Sequence, residues 1–219
     1  MSVIQVDTIQ DSAGTTNKEL AQYSSGNWSW GSGLPSGSIV QVQSTQYGDG
    51  NESSIQTNMS SHTTYVIQNS SSPTSGGGVS GLLDVNITPK ITGSKIWLQS
   101  QVFGESSGDA THNMVFFFIR SVSSTHTKLA SGVTSSTNAG HIGISCPTKT
   151  YYGEDASTTP EIVNMQYFDT HGVSAGTQIT YKVALAISSS SVTQWATNRC
   201  ISTGNEVGVS SIFAIELAP

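Results

Sequence analysis

Along most of the chain, apolar residues recur at every second position in short runs separated by clusters of Gly, Ser and Asn. This is the pattern of strands buried on one face. Such runs lie at residues 39–43, 63–68, 82–88, 95–103, 115–121, 140–145, 162–168, 178–187 and 207–217, with a weaker one at 192–196. In the run 95–103, Ile96, Leu98 and Val102 share one face and Trp97, Gln99 and Gln101 the other. In 178–187, Ile179, Tyr181, Val183, Leu185 and Ile187 alternate with Thr180, Lys182, Ala184, Ala186 and Ser188, a small, nearly neutral second face suited to packing against another subunit. The last run repeats the pattern with Val209, Ser211, Phe213, Ile215 and Leu217 and predicts a strand central to its sheet.

One stretch breaks the alternation. Met114, Val115, Phe116, Phe117, Phe118 and Ile119 are consecutively apolar, so this strand has to be covered on both faces, by a second sheet and a loop or by a neighbouring chain. Polar insertions at 47–61, 69–81 and 148–160 separate other strands and belong on the surface. A single helix is predicted, over 16–23, where Thr16, Asn17, Lys18 and Glu19 fit a capping box and Gly26 supplies a stop. Before the strand-rich region stand an apolar stretch from Val3 to Ile9, Trp28 and Trp30, and the hinge 31–37. The expected organisation is a docking leader over 1–37 and one all-β domain, an antiparallel sandwich of about eight to ten strands, over 38–219. The strand at Val3 to Ile9 is expected to pair, and Trp28 and Trp30 to be buried.

Composition narrows the function classes. Charged residues make up 10% of the 219, against about 25% in ordinary domains. The eight Lys and Arg form no patch, which argues against nucleic acid as a partner. The net charge of −6 disfavours anionic membrane surfaces. No apolar run approaches the about 20 residues of a membrane span, and the first residues lack the basic and apolar regions of an export signal. A protein made in a reducing cytoplasm is expected, with Cys146 and Cys200 as buried free thiols and the Asn-x-Ser/Thr sequons as by-products of Ser/Thr richness.

Candidate chemistry is sparse. Gly172, Val173, Ser174, Ala175 and Gly176 match a nucleophile elbow, with Asp169 and His171 before it. The elbow requires a following helix, however, and a strand follows here. The glycine pattern at 76–81 lacks the flanking strand and helix that a dinucleotide needs. His62, His112, His126, His141 and His171 show no metal-ligand spacing, and the acidic residues around Asp49 and Glu154 match no calcium loop. No enzyme, cofactor or metal is expected.

Two stretches together carry a family likeness. Residues 3–9, Lys18 to Tyr23 and Trp28 to Gly31 resemble the N-termini of small structural proteins of marine tailed bacteriophages. After Leu34, Pro35, Ser36 and Gly37, the marks Leu83 to Pro89, Ser94 to Ile96, Phe118 to Arg120, Phe168 and Asp169, Ile179 to Val183 and Ser211 to Leu217 resemble the β-sandwich heads of those proteins. Such heads are similar to the jelly roll of the tumour-necrosis-factor and complement C1q type, which assembles as a trimer. The likeness implies a non-enzymatic virion protein, a short homotrimeric fibre or knob involved in host-surface attachment. Its docking residues on another virion protein would be Val3, Ile4, Val6, Ile9, Leu20, Tyr23, Trp28 and Trp30, and its trimer interface Phe116, Phe118, Tyr181, Val183 and Phe213. Loop tyrosines Tyr47, Tyr65, Tyr151 and Tyr152 are the expected contacts to a host glycan, where three weak sites would gain avidity. Capsid decoration or a tail role without a receptor is the alternative. A polysaccharide-degrading enzyme would need two convergent carboxylates, and no such pair is visible.

Overall fold

A computed structural model of the chain describes residues 8–10, 19–24, 27–30, 34–49, 54–107, 113–129, 142–147, 160–188, 193–202 and 206–219. They form β1 (Thr8–Gln10), β2 (Glu19–Ser24), β3 (Asn27–Trp30), β4 (Ile39–Tyr47), β5 (Ile55–Gln56), β6 (Tyr65–Val66), β7 (Asp84–Ile87), β8 (Lys95–Ser106), β9 (Met114–Val122), β10 (Thr125–Leu129), β11 (Glu161–Asp169), β12 (Ile179–Ile187), β13 (Trp195–Thr197) and β14 (Ser210–Leu217). One sheet runs β10-β9-β12, with β7 and β6 pairing successively along the remaining edge of β12. The other runs β11-β8-β14-β4; beyond the end of β14, β13 pairs with β8, and β5 pairs with β13. Every pairing is antiparallel, and the two sheets pack face to face as an all-β sandwich consistent with a jelly roll.

The alternation in the sequence explains the core. Ile96, Leu98 and Val102 of β8, Val163 and Met165 of β11, and Ile212 and Ala214 of β14 meet Phe116, Phe118, Tyr181, Val183 and Leu185 of the opposite sheet. Trp195 of β13 closes one end, its ring edge-on to Phe116 at 4.8 Å and its Nε1 donating to Thr197 Oγ1 at 3.0 Å. Gly104 lets β8 pass beneath it. A Cβ there would stand 2.1 Å from Ala196 O and 2.5 Å from the Trp195 ring, closer than any side chain tolerates.

The leader differs from expectation. Residues 19–24 form β2, not the end of a helix, and β2 pairs with β1 and β3 on its two edges, bringing Tyr23 opposite Trp28 and Ala21 opposite Trp30. A two-turn helix is marginal alone, whereas strand partners on both edges satisfy the β2 backbone. Thr8 and Ile9 pair with β2, while Val3 to Asp7 lie outside the described residues.

The consecutive phenylalanines are covered within the chain. Phe117 and Ile119 face away from the main core and pack with Val66, Ala184 and Ala186. Residues 142–147 lie over this second layer: Ile144 N donates to Phe116 O at 2.7 Å, and Phe116 N donates to Ser145 O at 2.8 Å. Lys128 Nζ sits 3.9 Å above the Phe117 ring, where burial holds its pKa below the ordinary value. The Phe run and the small face of β12 therefore need no neighbouring chain. Residues 142–147 contribute only an isolated bridge at Ser145, not the expected strand. The short β5 and the hairpin strand β10 arise where polar sequence predicted none.

Candidate interaction surface

The outer face of the β11-β8-β14-β4 sheet collects the large apolar side chains that stay exposed. β14 does this against hydrophobic logic: Ile212, Ala214 and Glu216 turn inward, while the bulkier Phe213, Ile215 and Leu217 turn outward. Register then aligns three rows across the four strands. One is Phe168, Trp97, Ile215 and Val42; the next is Gln166, Gln99, Phe213 and Ser44; the third is Asn164, Gln101, Ser211 and Gln46. Ile162 and Phe103 extend the face at one end, and Leu217 and Ile39 at the other. Phe168 is 57% exposed, Ile39 60% and Phe213 38%.

Aromatic rings flank an amide centre. Trp97 and Phe168 stack with centroids 5.5 Å apart and planes 11° from parallel, which fixes two large rings at one margin. In the middle, a depression of about 370 Å³ is lined by Gln99, Gln101, Asn164, Gln166, Ser211 and Phe213 among others. Of the residues in these rows and at their ends, none carries a charge; Lys95 lies just beyond them, at the start of β8 opposite Leu217. A charge-poor, aromatic-rich patch has the composition of a protein interface core, and carboxamides both donate and accept hydrogen bonds.

The buried carboxylates serve the fold. Glu216 accepts from Lys90 N at 2.9 Å, Ile91 N at 3.0 Å and Gln41 Nε2 at 2.6 Å. Glu161 accepts from Ser106 N at 2.9 Å, and Glu105 from Ile201 N at 2.6 Å. Asp169 accepts from Arg120 Nη1 at 2.8 Å and Tyr181 Oη at 2.7 Å, tying the two sheets together at one margin. Burial, reinforced by the Asp169 charge, raises the Tyr181 pKa. Each of these carboxylates thus holds a backbone or cross-sheet donor.

The elbow-like segment is the β11–β12 connection, with Gly172 and Gly176 at φ of 64° and 85°. No helix follows it. His171 Nδ1 accepts from Val173 N at 2.9 Å and its Nε2 lies 3.5 Å from Ser94 Oγ, so both ring nitrogens face groups other than Ser174. Burial lowers the His171 pKa, keeping it neutral. Among the described residues, no three His, Cys, Asp or Glu side chains converge as a metal site.

The expected site residues scatter. Of the five assigned to a trimer interface, Phe116, Phe118, Tyr181 and Val183 are wholly enclosed within the sandwich, because their strands turn those positions to the core; Phe213 alone lies on an outer face. Tyr65 is buried, its hydroxyl accepting from Ser60 N at 3.0 Å. Tyr47 packs against the core with its hydroxyl enclosed, so neither is a surface contact. Tyr151 and Tyr152 lie outside the described residues, as do Val3, Ile4 and Val6. Ile9, Leu20, Tyr23, Trp28 and Trp30 fall on β1, β2 and β3, and the burial expected of the two tryptophans lies outside the described side chains. Cys200 is buried, its thiol pushed up to about 12 chiefly by desolvation, but Cys146 is exposed, so only one of the two thiols is buried as expected. No protein-family model matches the chain, and no curated protein matches it in sequence.

Proposed function

We propose that the chain is a non-enzymatic structural protein of a tailed-phage virion, assembled as a homotrimer through the outer face of the β11-β8-β14-β4 sheet. The leader would dock on another virion protein and the exposed surface of the trimer would contact a host glycan. The observation that carries the assembly is the inverted strand β14, whose larger apolar residues face out. Phe213, Ile215 and Leu217 stand outward beside Trp97 and Phe168 as one apolar face, of the kind that a covering surface buries. A second copy fits that role best. The chain carries net charge −6, and copies of a like-charged protein approach most easily through a face that brings no charge. Two amide-rich faces can also satisfy one another, since each Gln and Asn offers both donor and acceptor.

The virion assignment draws its support from the sequence likeness of the leader and head to phage structural proteins. The non-enzymatic reading draws its support from carboxylates engaged with structural donors. The same assembly would equally serve capsid decoration or a tail role without a receptor.

Light scattering on the purified chain tests the assembly: a trimer has three times the 23.0 kDa chain mass. A monomer at micromolar concentration would remove the proposed interface. Imaging of the particle that carries the protein, with adsorption assayed in the presence of the soluble chain, distinguishes attachment from decoration.

A further inference from the structure

At the end of the sandwich where β5 pairs with β13, the chain turns sharply after Thr197. Asn198 adopts a left-handed conformation with φ of 63°, which Asn tolerates better than most residues. Four hydrogen bonds hold it there. Its N donates to Phe103 O at 2.8 Å, its Nδ2 donates to Tyr47 O at 2.6 Å, its O accepts from Gly208 N at 3.1 Å, and its Oδ1 accepts from Ser210 Oγ at 2.5 Å. This rigid turn fixes the start of the next residue, Arg199, which is only 9% exposed.

Arg199 uses one of its five N–H donors: Nε donates to Cys200 O at 3.0 Å. Among the described residues, no carboxylate lies within ion-pair distance of its guanidinium, and Nη1 and Nη2 make no hydrogen bond. By contrast, Arg120, the other described arginine, pairs with Asp169. A largely buried guanidinium gains from a charged or polar acceptor, and Nη1 and Nη2 of Arg199, which the protein does not fully enclose, are open to one. Arg199 borders an open cavity of about 340 Å³ shared with Ile55, Thr57, Ser71, Gln194 and Ile201. Among the described residues, no acidic side chain lines it. The Gln194 backbone pairs with Ser107, leaving its carboxamide without a partner among the described residues.

We propose that this cavity binds the carboxylate of an acidic saccharide: the Arg199 guanidinium pairs with the carboxylate, the Gln194 carboxamide takes a ring hydroxyl, and Ile55 and Ile201 pack against the ring. The fork of an arginine matches a planar carboxylate in bidentate fashion. Glu105 and Glu206 lie near enough to act on the neighbouring Cys200. Their field favours a singly charged group over the doubly charged phosphate monoester. As a host contact the site rests on the attachment reading; as a binding site it stands on one chain alone.

Titration of the full chain with sodium glucuronate, glucose and sodium phosphate at low ionic strength, followed by two-dimensional NMR, tests the site. Saturable shifts of the Arg199 Nε–H and of the Ile55 and Ile201 amides are expected with glucuronate, in the millimolar range for a single open site, with glucose at least about tenfold weaker. Arg199→Gln abolishes the response and Gln194→Ala weakens it by about three- to tenfold, as loss of one hydrogen bond does. Arg199→Met, which removes the unpaired charge but keeps the apolar stem, leaves the melting temperature unchanged or raised. Equal shifts from glucose, no saturable shift from glucuronate, or tighter binding of phosphate than of glucuronate would overturn the proposal. So would a marked drop in melting temperature for Arg199→Met. A monomeric protein in light scattering refutes the trimer and leaves this measurement intact, so the two readings fail separately.

Discussion

Two adjacent residues of β14 separate the core from the proposed interface. Ile212 is fully enclosed and Phe213 is 38% exposed on the opposite face. Of the roughly 200 Å² that an aromatic side chain offers, about 75 Å² remain for Phe213 to bury on assembly, or about 2 kcal/mol at about 25 cal/mol per Å². Phe213→Asp removes that gain and sets an unpaired carboxylate in the middle of the uncharged rows, adding a further cost of about 2 kcal/mol or more on burial. Association therefore weakens by about 4 kcal/mol, about a thousandfold, while the fold is kept because the side chain points outward. Ile212→Asp does the reverse, placing a charge in the core and unfolding the sandwich. Light scattering gives the mass of each variant, and circular dichroism melts give its stability. If Phe213→Asp keeps the oligomeric mass of the parent, the face is not the interface. If it unfolds as Ile212→Asp does, the assignment of inward and outward positions in β14 is wrong.

Three further outcomes follow from buried groups. Glu216→Gln turns an amide nitrogen toward the Gln41 Nε2 donor, 2.6 Å from the present carboxylate; it should cost about 2–3 kcal/mol, about 4–12 °C in a thermal melt, and a shift under one degree would contradict the staple. His171 is held below its ordinary pKa of about 6.5 by burial, so the unfolded chain takes up the proton first. Its contribution is complete above about pH 6.5 and is lost as pH falls below that; His171→Gln should flatten this part of the stability–pH curve, and an identical slope in the variant would rule His171 out. Cys146 is exposed and Cys200 is buried beside Glu206 with its thiol pushed up to about 12, so alkylation of the folded protein at mildly alkaline pH should label Cys146 alone. Labelling of both at one rate would show that Cys200 is accessible.

The sandwich was legible because strand periodicity is written locally. The runs at 95–103, 162–168, 178–187 and 207–217 appear as β8, β11, β12 and β14, since each offers one face to a core. The failures lie where partners decide. A capping pattern at 16–19 points to a helix, yet β1 and β3 flank Glu19–Ser24 and make those residues a strand. Glu105, Glu161 and Glu216 are polar letters in apolar strands, and their donors stand 96, 55 and 125 residues away. Nothing local distinguishes such a staple from a solvated charge.

The candidate surface was half visible. Trp97, Gln99 and Gln101 separate cleanly from Ile96, Leu98 and Val102, but alternation gives two faces without saying which is outside. In β12 the larger residues go inward, as hydrophobic burial dictates. In β14 they go outward, because Glu216 must turn in to meet Lys90 N and Ile91 N, and the period of two carries Ile215 and Phe213 to the other side with it. A buried carboxylate at one position thus sets the orientation of the whole strand and exposes its bulky side chains. Had burial alone governed β14, Phe213, Ile215 and Leu217 would lie in the core. Glu216 accounts for the orientation of the strand; the exposed apolar face that results is what a covering partner would bury, and Phe213, not the enclosed Phe116 and Phe118, is the residue whose replacement tests for one.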